Sequence, residues 1–564
     1  MPVKVEDVTH GQGGSDAVVT HWVRPSSWVK ELMRLFPGCL TGGFTETNDI
    51  ALQFRSFWKA YKQFHPGHKI FSSNLNGSLL DRVIPLALFG DEGRGPKRGQ
   101  FLIWSIESVL GVDDQPHDFK CKCSDGLASM PLVDALGCED AGPTYFTSAE
   151  YERVCRQTVN YKNHSYITRH LLFGLPSYLM KAHAEVEEKH IQLLVDDLNY
   201  LFSTGVEIRG ERWYVCVVGS KGDFKHQGKL GNLERSYYSI GRTYGNMMCS
   251  LCEAGAPGFP FETIEHEPLW VRSLHRARPC STPPTISTLE FDDLKPEALL
   301  KLDLFHLWKV GLGRDLAGSG VITFCRIGMF DFPGCSKDLD GRLIYAHGSF
   351  KLWAMANHRS PGLQSFSKAF FVMKSYAGSP WSNSKGADTV LLIQWLHWLV
   401  SLNLKTPVDG LDLQSYGRML RLFKHTAEQS FGVMEVVYTH GLWLSRTCAK
   451  HLYGRLFLLL RGYRSLAAEA LKFRFNAFGL KPKMHAIAHV AFELRQQLLA
   501  KRKRILNPLA WGCEQNEDTV GRVSRIARKV SVRTITKRVL DRYFLKKRAL
   551  LKRKFSKQKR GWKK

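Results

Sequence analysis

Two short apolar runs constrain this chain more than any other feature. Residues 83–89 (VIPLALF) lead into Gly90, Asp91 and a glycine-rich turn that ends at Gly95; residues 213–218 (WYVCVV) lead through Gly-Ser-Lys-Gly to Asp223. A continuous apolar run of this length fits a strand buried on both faces, and an acid just after it fits a strand that ends at a functional edge. Pro85 weighs against a central strand, since proline cannot donate to a ladder. Residues 100–110 (QFLIWSIESVL) read as a neighbouring strand.

Elsewhere the pattern is mostly helical. Residues 1–80 read as an irregular or helical lead-in, 111–147 as a loop with three cysteines, and 148–202 as largely helix. A proline-rich loop to Pro284 follows Cys249 and Cys252. Residues 295–324 read as helix, with Asp303 and His306 one turn apart. From 388 to 500 the periodicity is helical, with breaks at 406–410 and 478–482, and 514–555 reads as one or two long basic helices. The expected fold is therefore an α/β core interrupted by a large all-helical insertion, with a basic helical C-terminal arm. The boundaries are a lead-in at 1–80, the first part of the core at 81–325, the insertion at 326–500, a closing core helix at 501–545 and a basic tail at 546–564.

Composition narrows the function. The 564 residues are 44% hydrophobic and 12% aromatic, with 14 Trp and 33 Phe, which excludes disordered and collagenous chains and supplies two or three cores. The net charge is +27, and it is concentrated: residues 501–564 hold 23 Lys and Arg against four acids, a local +19 that leaves +8 for the first 500. Nucleic acid leads the partner classes. The start, MPVKVEDVTHGQGG, has no apolar signal core, so reduced thiols in an intracellular compartment are the expectation for the thirteen cysteines. The longest uncharged apolar run, 389–404, falls short of the ~20 residues that span a bilayer and reads as a buried helix.

Asp91 and Asp223 end apolar strands, and Glu517 opens the last helical region, with Glu514 one turn earlier. Phosphodiester chemistry needs such acids: two hard cations, held about 4 Å apart by carboxylates, activate the attacking oxygen and stabilise the leaving one. Taken singly, an Asp after a strand is a turn or cap residue. Three of them in a basic chain point to a common site.

The order of PLALFGD, VVGSKGDF, CSLC, DLFH, PKMHAIAH and a terminal W…E…G resembles eukaryotic cut-and-paste transposases. The resemblance is to the plant and algal CACTA (En/Spm) and Kyakuja–Dileera–Zisupton groups, and to multicopy transposase-like proteins of dinoflagellates, over roughly residues 80–545. It implies an RNase H-like fold in which Asp91, Asp223 and Glu517 hold two Mg or Mn ions. Gly521, four residues after Glu517, matches the family and favours it over Glu514. Asp303 and His306 match the family's supporting Asp-x-x-His. Cys249 and Cys252 match a Cys-x-x-Cys that would be half a zinc site, completed by His266, His275 or Cys280, the alternative being two buried thiols. His485 and His489, one helical turn apart, match Pro-Lys-x-His and read as structural or DNA-facing rather than catalytic. Cys121 and Cys123 suggest no site.

Lys501, Arg502, Lys503 and Arg504 precede the Glu motif, and Arg522, Arg525, Arg528 and Lys529 follow it. Arg522, Arg525 and Lys529 recur at helical spacing, as a phosphate-gripping face would. Lys546, Lys547, Arg548, Lys552, Arg553 and Lys554 extend the grip and form a nuclear-localisation tract. Residues 1–80 lack finger spacing, with Cys39, His10, His21, His65 and His68 scattered. The expected partner is double-stranded DNA, without membrane and with homo-oligomerisation left open. The expected activity is cleavage and joining of phosphodiesters. The alternatives are a catalytically inactive, transposon-derived DNA- or chromatin-binding protein, and a zinc-stabilised scaffold.

Overall fold

The computed structural model describes residues 3–10, 18–112, 147, 153–154, 156–160, 162–238, 247–334, 336–373 and 378–561. Cys121, Cys123 and most of the 111–147 loop lie outside the described residues. The architecture is mixed α/β. A seven-stranded sheet has the order β1-β2-β5-β4-β3-β7-β6, built from β1 (Glu6–His10), β2 (Val18–Trp22), β3 (Val83–Arg94), β4 (Gln100–Ser108), β5 (His170–Pro176), β6 (Val206–Ile208) and β7 (Glu211–Lys221). Every neighbouring pair is antiparallel except β3 and β7, which are parallel.

Both apolar runs are central strands, as their two-sided burial requires. Pro85 is accommodated beyond the last β4 partner of β3, and its carbonyl still accepts from Val109 N at 3.1 Å. Two parts of the sheet depart from the sequence reading. Residues 1–80 are not only a lead-in, because β1 and β2 extend the sheet through β5. Helices α1 (Pro25–Leu35) and α2 (Thr47–Phe64) bury Trp28, Phe54, Phe57 and Trp58 against it. Residues 148–202 are not largely helical either. HLLFGLP forms β5, and only α3 (Ser177–Ala182) and α4 (Glu185–Ser203) follow. The apolar run of β5 is short and lies between helix formers, so tertiary pairing with β4 decides its state.

After β7 comes α5 (Phe224–Leu230), and among the described residues from there to α6 (Gly313–Arg326) only short helical turns occur. Residues 295–324 are thus helical only in part. Asp303 precedes a helical turn, Phe305–Leu312, that is irregular at Val310 and Gly311. Helices α7 (Leu339–Ala356), α8 (Gly386–Asn403), α9 (Leu413–Thr439), α10 (Arg446–Lys472) and α11 (Pro482–Leu499) follow, with β8 (Trp443–Ser445) pairing β9 (Arg504–Leu506). The apolar 389–404 run is α8, buried on one face. No helix among the described residues is long and apolar enough to cross a membrane.

The basic C-terminal region forms two helices, α12 (Glu514–Ala527) and α13 (Ile535–Gly561). The second packs against β2 and β5 and is not a free tail over its first half. Tyr543 donates to Arg169 O, its ring edge faces Trp28, and Lys547 is fully buried. Lys547 Nζ donates to the carbonyls of Tyr166, Ile167 and Arg169. It is therefore unavailable to DNA. A lysine on an amphipathic helix reads as solvated, and only the inward carbonyls of residues 166–169 draw it in.

Candidate metal centre

The register of β3 on β7 sets the site. Phe89 lies opposite Lys221, so Asp91 and Asp223, each two residues further on, sit at one level: Asp91 within β3, which runs on to Arg94 through the expected glycine-rich turn, and Asp223 two residues past the end of β7. Alternation puts Asp91 and Gly93 on the same face of β3. A Cβ on Gly93 would lie 2.0 Å from Ser524 Oγ and 2.8 Å from Val520 Cγ1, so α12 sits directly on this strand. Glu517, Val520 and Ser524 share one face of α12 at helical spacing. The strand glycine that seats Val520 and Ser524 therefore brings Glu517, one turn earlier, onto Asp91. The other face of Gly90 meets the His226 ring, which α5 places there.

Ligand atoms of Asp91, Glu517 and His306 lie within 4.8 Å of one another. Both carboxyls are driven up. Burial, then the Glu517 charge, holds Asp91 well above the usual carboxylate range, and burial likewise raises Glu517. The Asp223 charge pushes both further up. His306 Nε2 lies 3.4 Å from Glu517 Oε1, and its Nδ1 is 2.6 Å from Asp303 Oδ2. Burial pulls the imidazole down, but the Asp303 carboxylate outweighs it and His306 is held above its ordinary value. Asp303 is fixed in turn by the Phe305 N–H at 2.8 Å and the Cys513 N–H at 3.0 Å.

Two observations show that this donor set fits hard cations. Buried Glu517 Oε1 accepts no hydrogen bond, and two adjacent carboxyls repel unless a proton or a cation sits between them. Asp223 stands at the rim. Its Oδ1 accepts from His226 N at 2.7 Å, capping α5, and it lines a cleft of about 100 Å³ together with Asp91, Glu92 and Lys225. Glu514 is elsewhere. Lys309 Nζ holds it at 2.8 and 2.9 Å and Tyr438 donates to it at 2.6 Å, so the alternative third acid is committed to an ion pair.

A second cluster joins residues far apart in the chain. Cys249, Cys252, His485 and His489 are all buried, with ligand atoms within 4.8 Å of one another. Cys249 Sγ is 3.3 Å from His489 Nε2, Cys252 Sγ is 3.3 Å from His485 Nε2, and the two Nε2 atoms are 3.0 Å apart. A tetrahedral zinc with two sulfur and two nitrogen ligands spaces its ligands about 3.3–3.8 Å apart, so this donor set fits one. The His pair thus faces the Cys-x-x-Cys. The other candidates to complete it do not: His266 bonds Tyr453 OH at 2.6 Å, His275 pairs with Glu297, and Cys280 lies apart, beside a proline-rich pocket. Sequence spacing showed each half alone; nothing local could pair positions 240 residues apart.

A buried ion network under the site was missed. Glu107 on β4 pairs with Arg169 at 3.0 Å and with Lys221, and Asn516 Nδ2 donates to it at 3.2 Å. Lys221 lies two residues before Asp223, and Asn516 one before Glu517. The available signal was one acid inside the apolar run QFLIWSIES, which a strand buries only with partners.

Of the basic residues, Arg525, Arg528, Lys529, Lys501, Lys546, Arg548, Lys552 and Arg553 are exposed, and Arg502, Lys503 and Lys554 are half-buried. Arg522 pairs with Asp518 at 2.6 Å, and Lys529 lies past the end of α12, so the shared face reduces to Arg522 and Arg525. Arg504 is buried in β9 and leaves the set with Lys547. The sequence matches no family model and no curated protein.

Proposed function

We propose that this protein is a DNA transposase-like enzyme that cleaves and joins phosphodiesters, with an RNase H-like core carrying a helical insertion. The observation that carries the reading is the meeting of Asp91 and Glu517, with Asp223 alongside on the neighbouring parallel strand's continuation, under one helix. Asp91, Asp223 and Glu517 would hold two Mg or Mn ions. Such ions supply charge neutralisation at the phosphate and a more acidic attacking hydroxyl or water. The chain's own residues do the rest. Asp303 orients His306, and His306 fixes the Glu517 carboxylate. Arg525, Arg528 and Lys529, beyond Glu517 on and just past the same helix, would hold the phosphates that flank the scissile bond. Cys249, Cys252, His485 and His489 would hold zinc as a structural pin. The working compartment would be the nucleus.

The test is a Mg- or Mn-dependent nicking assay on labelled duplex DNA, comparing wild type with Asp91→Ala, Asp223→Ala and Glu517→Gln. Metal-dependent cutting lost in all three supports the reading. Equal cutting by variants and wild type removes it, and salt-sensitive DNA binding with no cutting by any form would leave only polyanion affinity.

A further inference from the structure

The largest cavity described lies outside the acid cluster. It has a volume of about 610 Å³ and runs between the end of α2, the 292–302 segment, α11 and the loop at 506–511. That volume is ordinary for a small-molecule site. Its walls are mainly apolar, with Phe64, Phe492 and Trp511 among them.

Two charged side chains of opposite sign face it, close enough to feel each other's charge but not hydrogen-bonded. Lys301 is 8% exposed, and its Nζ has no hydrogen bond or ion pair among the described residues. It lies 5.2 Å from the Phe291 ring centre and 4.9 Å from that of Trp511. Its stem is seated by a glycine, since a Cβ on Gly219 would come within 2.6 Å of Lys301 Cε and Cγ and 3.0 Å of Trp511. Burial pulls the ammonium down to about 8, which leaves it a cation at neutral pH. Glu493, on α11, also has no hydrogen bond or ion pair among the described residues. It is exposed and lines the cavity; desolvation raises its carboxyl and the Lys301 charge works against that. Of the other charged groups here, Asp292 accepts from the backbone of Leu294 and Lys295 and lies 3.6 Å from His65, His275 is held by Glu297, and Lys295 is exposed.

Lys301 feels the charges of Glu493 and Asp292 but donates a hydrogen bond to neither, so its N–H groups stay open toward the cavity. Aromatic walls beside those donors suit a ligand that joins a flat ring to an anionic group. Glu493, exposed into the same space, can accept from a ligand N–H. We propose that this cavity is a nucleotide site, in which Lys301 binds the phosphate, Trp511 and the phenylalanines cover the planar base, and Glu493 accepts from the base N–H groups. The same chemistry is offered by a free nucleotide and by an unpaired nucleotide of a DNA strand. This goes beyond the cleavage reading and does not depend on it.

The test uses the full chain without divalent metal. Calorimetric titration and thermal shift are run with AMP, GMP, CMP, UMP and inorganic phosphate. At least one nucleotide is expected to bind with a Kd below about 1 mM, and phosphate alone at least about tenfold more weakly. Lys301→Met should weaken nucleotide binding at least about tenfold while melting no lower than wild type, because it removes an unpaired charge. Glu493→Gln, which keeps the shape, should change the preference among the four bases and keeps the test intact if the Lys301 variant misfolds. Competition by an oligonucleotide with one unpaired base assigns the ligand to DNA, and its failure assigns it to free nucleotide. Absence of binding by all four at about 5 mM, or binding unmoved by both substitutions, overturns the proposal. So does phosphate binding as tightly as the nucleotides.

Discussion

Gly93→Ala probes how the acids are brought together without touching an acid. The new Cβ meets Ser524 Oγ at 2.0 Å, Val520 Cγ1 at 2.8 Å and Ser524 Cβ at 3.3 Å. Ser524 Oγ is buried and bonds nothing, so it can rotate away at little cost. The Val520 contact cannot be relieved that way, because a β-branched side chain has one favoured rotamer in a helix. Ordinary carbon–carbon contact is about 3.5–4.0 Å, so α12 must retreat by roughly 0.7 Å or more. Overpacking of this kind costs about 1–3 kcal/mol. The larger consequence is at the site, since metal-ligand distances tolerate only about ±0.2 Å and the shift moves Glu517 off Asp91. Mn affinity, read by calorimetry or by the electron-spin signal of free Mn, should fall about 10- to 100-fold, as when a ligand's support is lost. Adding Val520→Ala and Ser524→Ala should restore most of it, since both blocking groups are gone. Unchanged Mn affinity in Gly93→Ala, or no rescue in the triple variant, would refute the seating of α12 on this glycine.

Other consequences follow from the same physics. Glu107→Ala leaves Arg169 and Lys221 buried without their carboxylate; denaturant unfolding should show a loss of about 3–5 kcal/mol, and Glu107→Gln should lose less. Buried His68 and His190 are held neutral, each pushed down to about 4 by burial. Their folded values lie below the unfolded 6.5, so the stability they confer is present above pH 6.5 and is lost as pH falls toward 4, at about 1.4 kcal/mol per group per pH unit. A pH series of melting temperatures should drop across that window, and His68→Gln should flatten it. If the Cys2His2 cluster holds zinc as proposed, a strong chelator or Cys252→Ser should lower the melting temperature, and the chelator should release about one equivalent of zinc from the purified protein, read by atomic emission.

What the sequence made legible was whatever is written locally. Both apolar runs are strands, although β3 continues past Asp91 to Arg94; Asp303 and His306 do meet, and the long apolar segment is the helix α8 with one face buried, because each is decided by near neighbours along the chain. What it hid was set by partners elsewhere. The strand β5 depends on β4, and the burial of Lys547 depends on carbonyls nearly 380 residues away. Glu514 and Glu517 are indistinguishable as residues at the start of a helix. Both point to much the same side of α12; what separates them is the rise of about 4.5 Å between residues three apart, which leaves Glu514 at the helix start beside Lys309 and seats Glu517 on Asp91. The pairing of Cys249 and Cys252 with His485 and His489 was hidden in the same way.

That pairing has a mechanical consequence for the acids. The cysteines follow α5, which Asp223 caps, and the histidines lie on α11. At its start α11 abuts the irregular turn that carries His306: Lys483 Nζ donates to Val310 O at 3.2 Å, and a Cβ on Gly311 would meet Lys483 Cδ at 2.7 Å. One end of the Cys2His2 cluster is thus linked through the chain to Asp223 and the other through packing to His306, which bonds the site of Glu517. The entropic cost of closing a loop of 240 residues grows only logarithmically with length, so the proposed tetrahedral ion would be enough to hold it. The helical segment between them can then vary without moving the acids, provided the clasp stays shut. A chelator should therefore weaken Mn binding at Asp91 and Glu517 along with stability, although no zinc ligand touches either carboxylate.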